Sequence, residues 1–98
     1  MPWQVTLNAG YASNPLLAAD LKPFDAVVLD PPRAGAAVQV AELVRSKIGR
    51  IVYASCDPGT FARDAKVLQD AGYRLEKLMP IDQFLWSVHV ELIALFAK

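Results

Sequence analysis

The chain has 98 residues, 54% of them hydrophobic, and its ten Lys and Arg balance its ten Asp and Glu. This length suits one small domain. Zero net charge argues against a strongly basic nucleic-acid-binding face, so most of any nucleic-acid binding is expected to come from elsewhere. No apolar run approaches the ~20 residues of a membrane span, and the N-terminus lacks a secretory signal pattern. A single cysteine excludes an internal disulfide and a Cys-rich metal site, so we expect no metal and a reducing, cytoplasmic setting.

The first clear element in chain order is a buried strand. Residues 1–22 carry no single pattern, although residues 4–8 could form a short strand and residues 15–21 a helical turn or two. Residues 24–29 form an apolar run that ends at Asp30, and the two prolines after it prevent its extension. Because both faces of this run are apolar, it predicts a strand buried within a sheet.

The rest of the chain alternates between helical and extended patterns. Helical spacing predicts helices over 38–47 and 60–71, with Gly72 placed to cap the second, and apolar runs predict strands over 50–55, 73–79 and 89–96. Strands that alternate with helices predict a parallel sheet. The last two strands are joined by about ten residues without a helix, which favours antiparallel pairing. The expected fold is therefore α/β, with parallel strands closed by an antiparallel hairpin.

This topology brings three chemically able residues to one edge of the sheet. Ligands of open parallel sheets bind beyond the carboxyl ends of the strands, where Asp30 and Cys56 end two predicted strands. An antiparallel strand begins where its parallel neighbours end, so Glu91 reaches the same edge. Cys56 also precedes a predicted helix, whose N-terminal dipole, with Arg63 nearby, favours the thiolate that a nucleophile needs.

Each residue also has an ordinary structural explanation. A lone cysteine is often a small buried hydrophobe, Asp30 could cap a turn, and Glu91 could be an outward charge on a half-exposed strand. His89 would share a face with Glu91 and is more often a structural hydrogen-bonding residue than a catalyst. Topology alone leaves these explanations open.

Three motifs add a resemblance to a known family. SCDPGTFARD at 55–64 resembles the catalytic-cysteine motif of RNA 5-methyluridine methyltransferases, DPPRAG at 30–35 resembles their cofactor-side loop, and DQFLWSVHVE at 82–91 resembles their closing motif. The motifs occur in the family's order, and the resemblance covers residues 24–98. It departs at Asp57, Leu85 and Ser87, where relatives usually have Asn, Pro and Thr. The fold it implies is the C-terminal half of a Rossmann-like class I methyltransferase sheet.

The resemblance implies a reaction in which a thiolate makes uracil reactive. Carbon 5 of uridine is a poor nucleophile, and a thiolate adding to carbon 6 gives an enolate whose carbon 5 can attack the methyl group of S-adenosylmethionine. By resemblance, Cys56 is the nucleophile and Glu91 is the base that removes the carbon-5 proton. Asp30 would bind the cofactor or orient the reacting pair. The implied substrate is rRNA or tRNA, with the target base turned out of its stack.

One part of the family pattern has no match in the sequence. These enzymes bind the cofactor mainly through a Gly-rich loop after their first strand, whereas NAGYASN at 8–14 has a single glycine. We therefore expect residues 1–98 to be one partial domain, the C-terminal part of a longer enzyme that is inactive alone. The exposed edge of a truncated sheet also predicts self-association.

Two other functions stay open at this point. In one, a methyltransferase acts on an amino group or another substrate through its Asp-Pro-Pro loop, and Cys56 is incidental. In the other, the chain is a non-catalytic protein-interaction domain.

Overall fold

The computed structural model describes residues 4–8, 16–31, 35–82 and 90–98. Arg33 and His89, the interior of the DPPRAG motif and most of the closing motif lie outside these ranges. In chain order the elements are β1 (Gln4–Asn8), a 3-10 turn (Ala18–Leu21), β2 (Ala26–Asp30), α1 (Ala37–Arg45), β3 (Arg50–Ser55), α2 (Pro58–Asp70), β4 (Arg74–Asp82) and β5 (Val90–Ala97).

The strands form one sheet in the order β1-β2-β3-β5-β4. The first three are parallel to one another, and β5 runs antiparallel to both β3 and β4. The predicted α/β class, with parallel strands closed by an antiparallel pair, is confirmed. Because β5 inserts between β3 and β4, its first residues lie beside the last residues of β3.

The hydrophobic core is built by side chains of the sheet and of both helices. Tyr53 of β3, Phe61 of α2 and Phe96 of β5 pack at its centre, with ring centroids 5.4 Å and 6.3 Å apart along this series. The apolar residues predicted to share a face of the second helix, Phe61, Ala65 and Leu68, are all buried. This packing fixes α2 against the strand that leads to Cys56.

The second helix begins two residues earlier than the predicted start. Asp57 caps the helix with its side chain, and Pro58 occupies the first helical position. A proline loses no hydrogen bond there, because the N–H of that position has no partner within the helix. The predicted role of Gly72 is confirmed: it has a φ of +104° and donates to Gln69 O, while Tyr73 N donates to Leu68 O. This pair of bonds is a Schellman motif.

The first helix ends at Arg45, two residues before the predicted end. Ser46 closes it, since its backbone N donates to Leu43 O at 3.0 Å and its Oγ donates to the same oxygen at 2.7 Å. The segment before β2 is held to this helix by Gln39, whose side-chain amide exchanges two 2.9 Å hydrogen bonds with the backbone of Leu16. The sequence pattern did not indicate this contact.

Candidate active site

The three predicted site residues stand at the same end of three adjacent strands, β2, β3 and β5. Asp30 is the last residue of β2 and is exposed. Ser55, the last residue of β3, pairs with Leu92 of β5, and this is the last pair between the two strands. Cys56 follows Ser55 and Glu91 precedes Leu92, so each lies one residue beyond that pair. The side chain of Glu91 lies outside what the structure describes, so its role stays a prediction.

Cys56 occupies a turn that is fixed by hydrogen bonds on both sides. The residue is half-buried. The Oγ of Ser55 donates to Asp57 O at 2.9 Å and accepts from Asp57 N at 3.0 Å. The two bonds join the residues on either side of Cys56, and Ser55 is itself buried. They therefore restrict the backbone at Cys56.

The start of α2 modifies the electrostatic argument made from the sequence. Oδ1 of Asp57 accepts from the backbone N of Gly59 at 2.9 Å and of Thr60 at 3.2 Å. The carboxylate takes up two of the free N–H groups of the helix end. The side chain of Asp57 therefore shares the helix N-terminus with the thiol of the preceding residue. The expectation that the dipole favours a thiolate at Cys56 stays a prediction.

The structure also gives Arg63 a partner that the sequence reasoning did not foresee. Its Nη2 lies 3.2 Å from Oδ1 of Asp64, and its Nε donates to the same oxygen at 3.2 Å. These contacts place the guanidinium on a carboxylate, and the expectation that it favours a thiolate at Cys56 stays a prediction.

Asp64 is the functional candidate that sequence reasoning missed. Its side chain is 1% exposed. Its Oδ2 accepts a 2.5 Å hydrogen bond from the hydroxyl of Tyr53 and a 2.8 Å bond from the backbone N of Ala36. The available signal was its spacing: it follows Phe61 by three residues and precedes Leu68 by four, so it falls on the buried face of α2.

Tyr53 is the hydrogen-bond donor of this buried pair. Burial, with the hydrogen bond to Asp64 as the second cause, raises the pKa of Tyr53 above its ordinary value. The hydroxyl therefore keeps its proton and donates a hydrogen bond to Asp64. The other carboxylate oxygen of Asp64 contacts Arg63.

The loop after β2 approaches the beginning of α2 closely. Gly35 has a φ of +83°, in the left-handed region that favours glycine. A Cβ built on it would lie 2.5 Å from Arg63 Nη2, 2.9 Å from Asp64 Oδ2 and 3.0 Å from Thr60 Cβ. The end of the DPPRAG motif thus packs on the helix that follows Cys56.

In the part of the chain that the structure describes, no group of three His, Cys, Asp or Glu side chains is placed to bind a metal ion. None of the helices in these ranges has the length and apolar character of a membrane span. A cleft of about 500 Å³ lies at the opposite end of the strands, lined mainly by charged residues that include Arg50 and Arg74. For a cofactor at the carboxyl edge, Asp30 is the described side chain that offers an exposed carboxylate.

Comparison with protein families gives one match over most of the chain. The model of the tRNA (uracil-5-)-methyltransferase family matches residues 13–98. An uncharacterized RNA methyltransferase of Brucella melitensis is 55% identical over 85 residues, which are 87% of this chain and 20% of that relative. The 23S rRNA (uracil(1939)-C(5))-methyltransferase of Photobacterium profundum is 48% identical over 82 residues, 84% of this chain and 18% of that protein. The chain therefore spans about a fifth of the length of these relatives.

Solved structures agree with this comparison. The tRNA (uracil-54, C5)-methyltransferase of Pyrococcus abyssi, in complex with S-adenosyl-L-homocysteine, is 47% identical with a TM-score of 0.69, over 79% of this chain and 19% of that one. A precorrin-6y C5,15-methyltransferase of Geobacter metallireducens is 18% identical with a TM-score of 0.53, over 82% of this chain and 47% of that one. The second likeness concerns the fold alone.

Proposed function

The chain belongs to the tRNA (uracil-5-)-methyltransferase family, and from this membership we propose that it carries the thiol and the base of an enzyme that methylates carbon 5 of a uridine in rRNA or tRNA. The observation that supports the proposal most is the pairing of Ser55 with Leu92, because Cys56 and Glu91 are the next residues beyond this last pair of β3 and β5. A nucleophile and a proton-accepting carboxylate at neighbouring ends of two strands could both reach one flat uracil ring. Because the chain spans about a fifth of its relatives, the proposal assigns the reaction to the complete gene product.

In the proposed mechanism Cys56 acts first. Its thiolate forms a bond to carbon 6 of the uracil, and the electron pair of the 5,6 double bond moves into the ring as an enolate. S-Adenosylmethionine would supply the methyl group that carbon 5 takes, and the electron pair of the broken sulfur–methyl bond would stay on the sulfur of S-adenosylhomocysteine. Glu91 then accepts the carbon-5 proton, the 5,6 double bond re-forms, and the bond from Cys56 to carbon 6 breaks. The thiolate returns to its starting state with no oxidant or reductant consumed.

The proposal gives Asp30 a binding role. It ends β2 beside β1, with Asn8 as its register partner, and its carboxylate is suited to accept hydrogen bonds from the amine or hydroxyl groups of the cofactor. A further part of the proposal is that the Gly-rich part of the cofactor site is supplied outside residues 1–98. The same applies to most of the RNA contacts, since the net charge of the chain is zero.

Methyl transfer by the complete gene product tests this function. We expect rRNA or tRNA that lacks 5-methyluridine to gain a labelled methyl group from S-adenosylmethionine, and mass spectrometry of the nucleosides to identify 5-methyluridine. Cys56→Ala should abolish the product, because the thiol is consumed and regenerated in every turnover. A methylated amino group that persists in Cys56→Ala would instead support the alternative in which the cysteine is incidental.

We also propose that the chain alone self-associates. In the described part of the sheet, β1 pairs only with β2, so it presents the edge that a truncated sheet leaves open. β4 forms the other edge, and its Leu78 and Met79 are about half exposed. An edge strand with exposed apolar side chains favours pairing with a second copy. Sedimentation velocity should show the apparent mass rising with concentration, and a monomer at millimolar concentration would contradict this.

A further inference from the structure

The carboxylate of Asp64 joins three segments that come from different parts of the fold. It belongs to α2, accepts from Tyr53 of β3, and accepts from the backbone N of Ala36 in the loop after β2. The segments at 36 and 64 are 28 residues apart in sequence. A single side chain therefore connects the end of the DPPRAG motif with both elements that flank Cys56.

The buried carboxylate of Asp64 has a full set of partners. Asp is seldom fully buried unless it is paired, and a well-packed apolar residue would stabilise a helix face as well as a buried ion pair does. Here the charge is compensated by Arg63 and by two hydrogen bonds. Among the described residues, no buried polar side-chain atom lacks a partner. Such a fully satisfied network fixes geometry more strictly than apolar contacts would.

The loop after β2 is also restricted in conformation where it meets Asp64. Gly35 allows the loop to approach, because any side chain there would collide with Arg63, Asp64 and Thr60. Ala36, the next residue, donates its N–H to Asp64 and begins the cap of α1. The loop that starts at Asp30 is thus anchored at its far end on α2, within two turns of the helix start that follows Cys56.

We propose that Asp64 is a positioning residue of the methyl-transfer site, a role that rests on the function proposed above. Its carboxylate fixes the distance between the Asp30 loop and the Cys56 turn, and hence the distance between the cofactor and the uracil bound to the thiol. It touches neither ligand and acts through Ala36 and Tyr53. A displacement of about 1 Å between reacting groups lowers rates by about 10²-fold.

The test uses Asp64→Asn in the complete gene product, with Asp70→Asn as the matched control. Asp70 lies on the same helix, is exposed and pairs with Lys66 at 3.4 Å, so the control changes charge without changing the network. Asparagine at position 64 keeps the shape of the side chain but cannot accept all the hydrogen bonds of the carboxylate.

Two readouts separate positioning from stability. The first is the amide hydrogen exchange of Ala36 compared with Leu68, a fully buried residue in the C-terminal half of α2. We expect exchange at Ala36 to rise at least about tenfold more than at Leu68, since only the loop is released. The second is steady-state kinetics, where we expect kcat to fall about 10²-fold while KM for RNA changes less than about twofold. Asp70→Asn should match the wild type in both.

Several results would overturn the proposal. Equal acceleration at Ala36 and Leu68 would show that Asp64 contributes stability alone, and a normal kcat with a released loop would show that the loop position does not matter. An inactive wild type would overturn the proposed function and the positioning role with it, whereas the exchange data would still decide whether the carboxylate holds the loop. If Asp64→Asn fails to fold, Gly35→Ala disturbs the same contact from the loop side, with Gly49→Ala as its control because a Cβ there meets nothing within 4 Å.

Discussion

Replacing Tyr53 by phenylalanine should destabilise the chain more than the same change at Tyr73. Both rings are buried, at 0% and 2% exposure, and both hydroxyls donate a 2.5 Å hydrogen bond, from Tyr53 to the Asp64 carboxylate and from Tyr73 to the backbone O of Ile48. The two substitutions each remove one hydroxyl and keep the ring. They differ in the charge of the acceptor that is left behind.

The expected magnitudes follow from that difference. A hydrogen bond to a charged group contributes about 1.5–3 kcal/mol, and one between neutral groups about 0.5–1.5 kcal/mol. Tyr53→Phe also leaves the Asp64 carboxylate, which is 1% exposed, with one hydrogen bond fewer. The loss of stability should therefore lie near the top of the range for a charged acceptor. We expect losses in the free energy of unfolding of about 2.5 kcal/mol for Tyr53→Phe and about 1 kcal/mol for Tyr73→Phe.

Urea denaturation at pH 7, followed by circular dichroism, measures both losses. For a domain with a slope of about 1–1.5 kcal/mol per molar urea, the midpoint should fall by roughly 2 M in Tyr53→Phe and by less than about 1 M in Tyr73→Phe, with slopes unchanged. If Tyr53→Phe loses no more stability than Tyr73→Phe, the Asp64 network is not the charged anchor described above.

Three further expectations concern the helix cap, alkaline pH and the cofactor. Asp57→Ala should lose about 1 kcal/mol of stability because two N–H groups lose their acceptor, whereas the exposed control Asp70→Ala should lose less than about 0.5 kcal/mol by the same urea assay; equal losses would contradict the cap. Burial raises the pKa of both Tyr53 and Tyr73, so the folded chain holds tyrosine protons that the unfolded chain releases above about pH 10. These groups should therefore leave the free energy of unfolding unchanged below pH 10 and lower it above pH 10. The fall should be less steep in Tyr53→Phe. An unchanged pH dependence in that variant would contradict the raised pKa of Tyr53. Calorimetry should find no micromolar binding of S-adenosylmethionine to residues 1–98 alone, because the sequence has no match to the Gly-rich loop, and micromolar affinity would refute that reasoning.

The sequence carried enough information for the order and type of most elements. The apolar run before Asp30 and the run before Cys56 are bounded by turn residues, and strands of this kind are recognised by local pattern alone. The antiparallel pairing of the last strands followed from the length of their link. The position of β5 between β3 and β4 could not be read from local pattern, since it depends on how non-local strands pair.

The candidate site was predictable only in part. Cys56, Asp30 and Glu91 stand at ends of apolar runs, so a topological argument finds them. Asp64 stands inside a helix, and its importance depends on a tyrosine 11 residues away and a backbone N–H 28 residues away. The start of the second helix differs from the prediction for a local reason: the predicted helix began after the Pro-Gly pair, whereas Asp57 is the N-cap and Pro58 the first helical residue.

The measurement that tests the central claim most directly is covalent trapping of RNA by variants of the complete gene product. Each protein is incubated with uridine-containing RNA and S-adenosylmethionine and analysed on a denaturing gel. Glu91→Gln should accumulate a protein–RNA adduct, because only the release of the thiol needs the base, and Cys56→Ala should form none. The wild type should turn over with little adduct. Methylation by Cys56→Ala would contradict the covalent mechanism, and absence of adduct in Glu91→Gln beside an active wild type would contradict the assignment of the base.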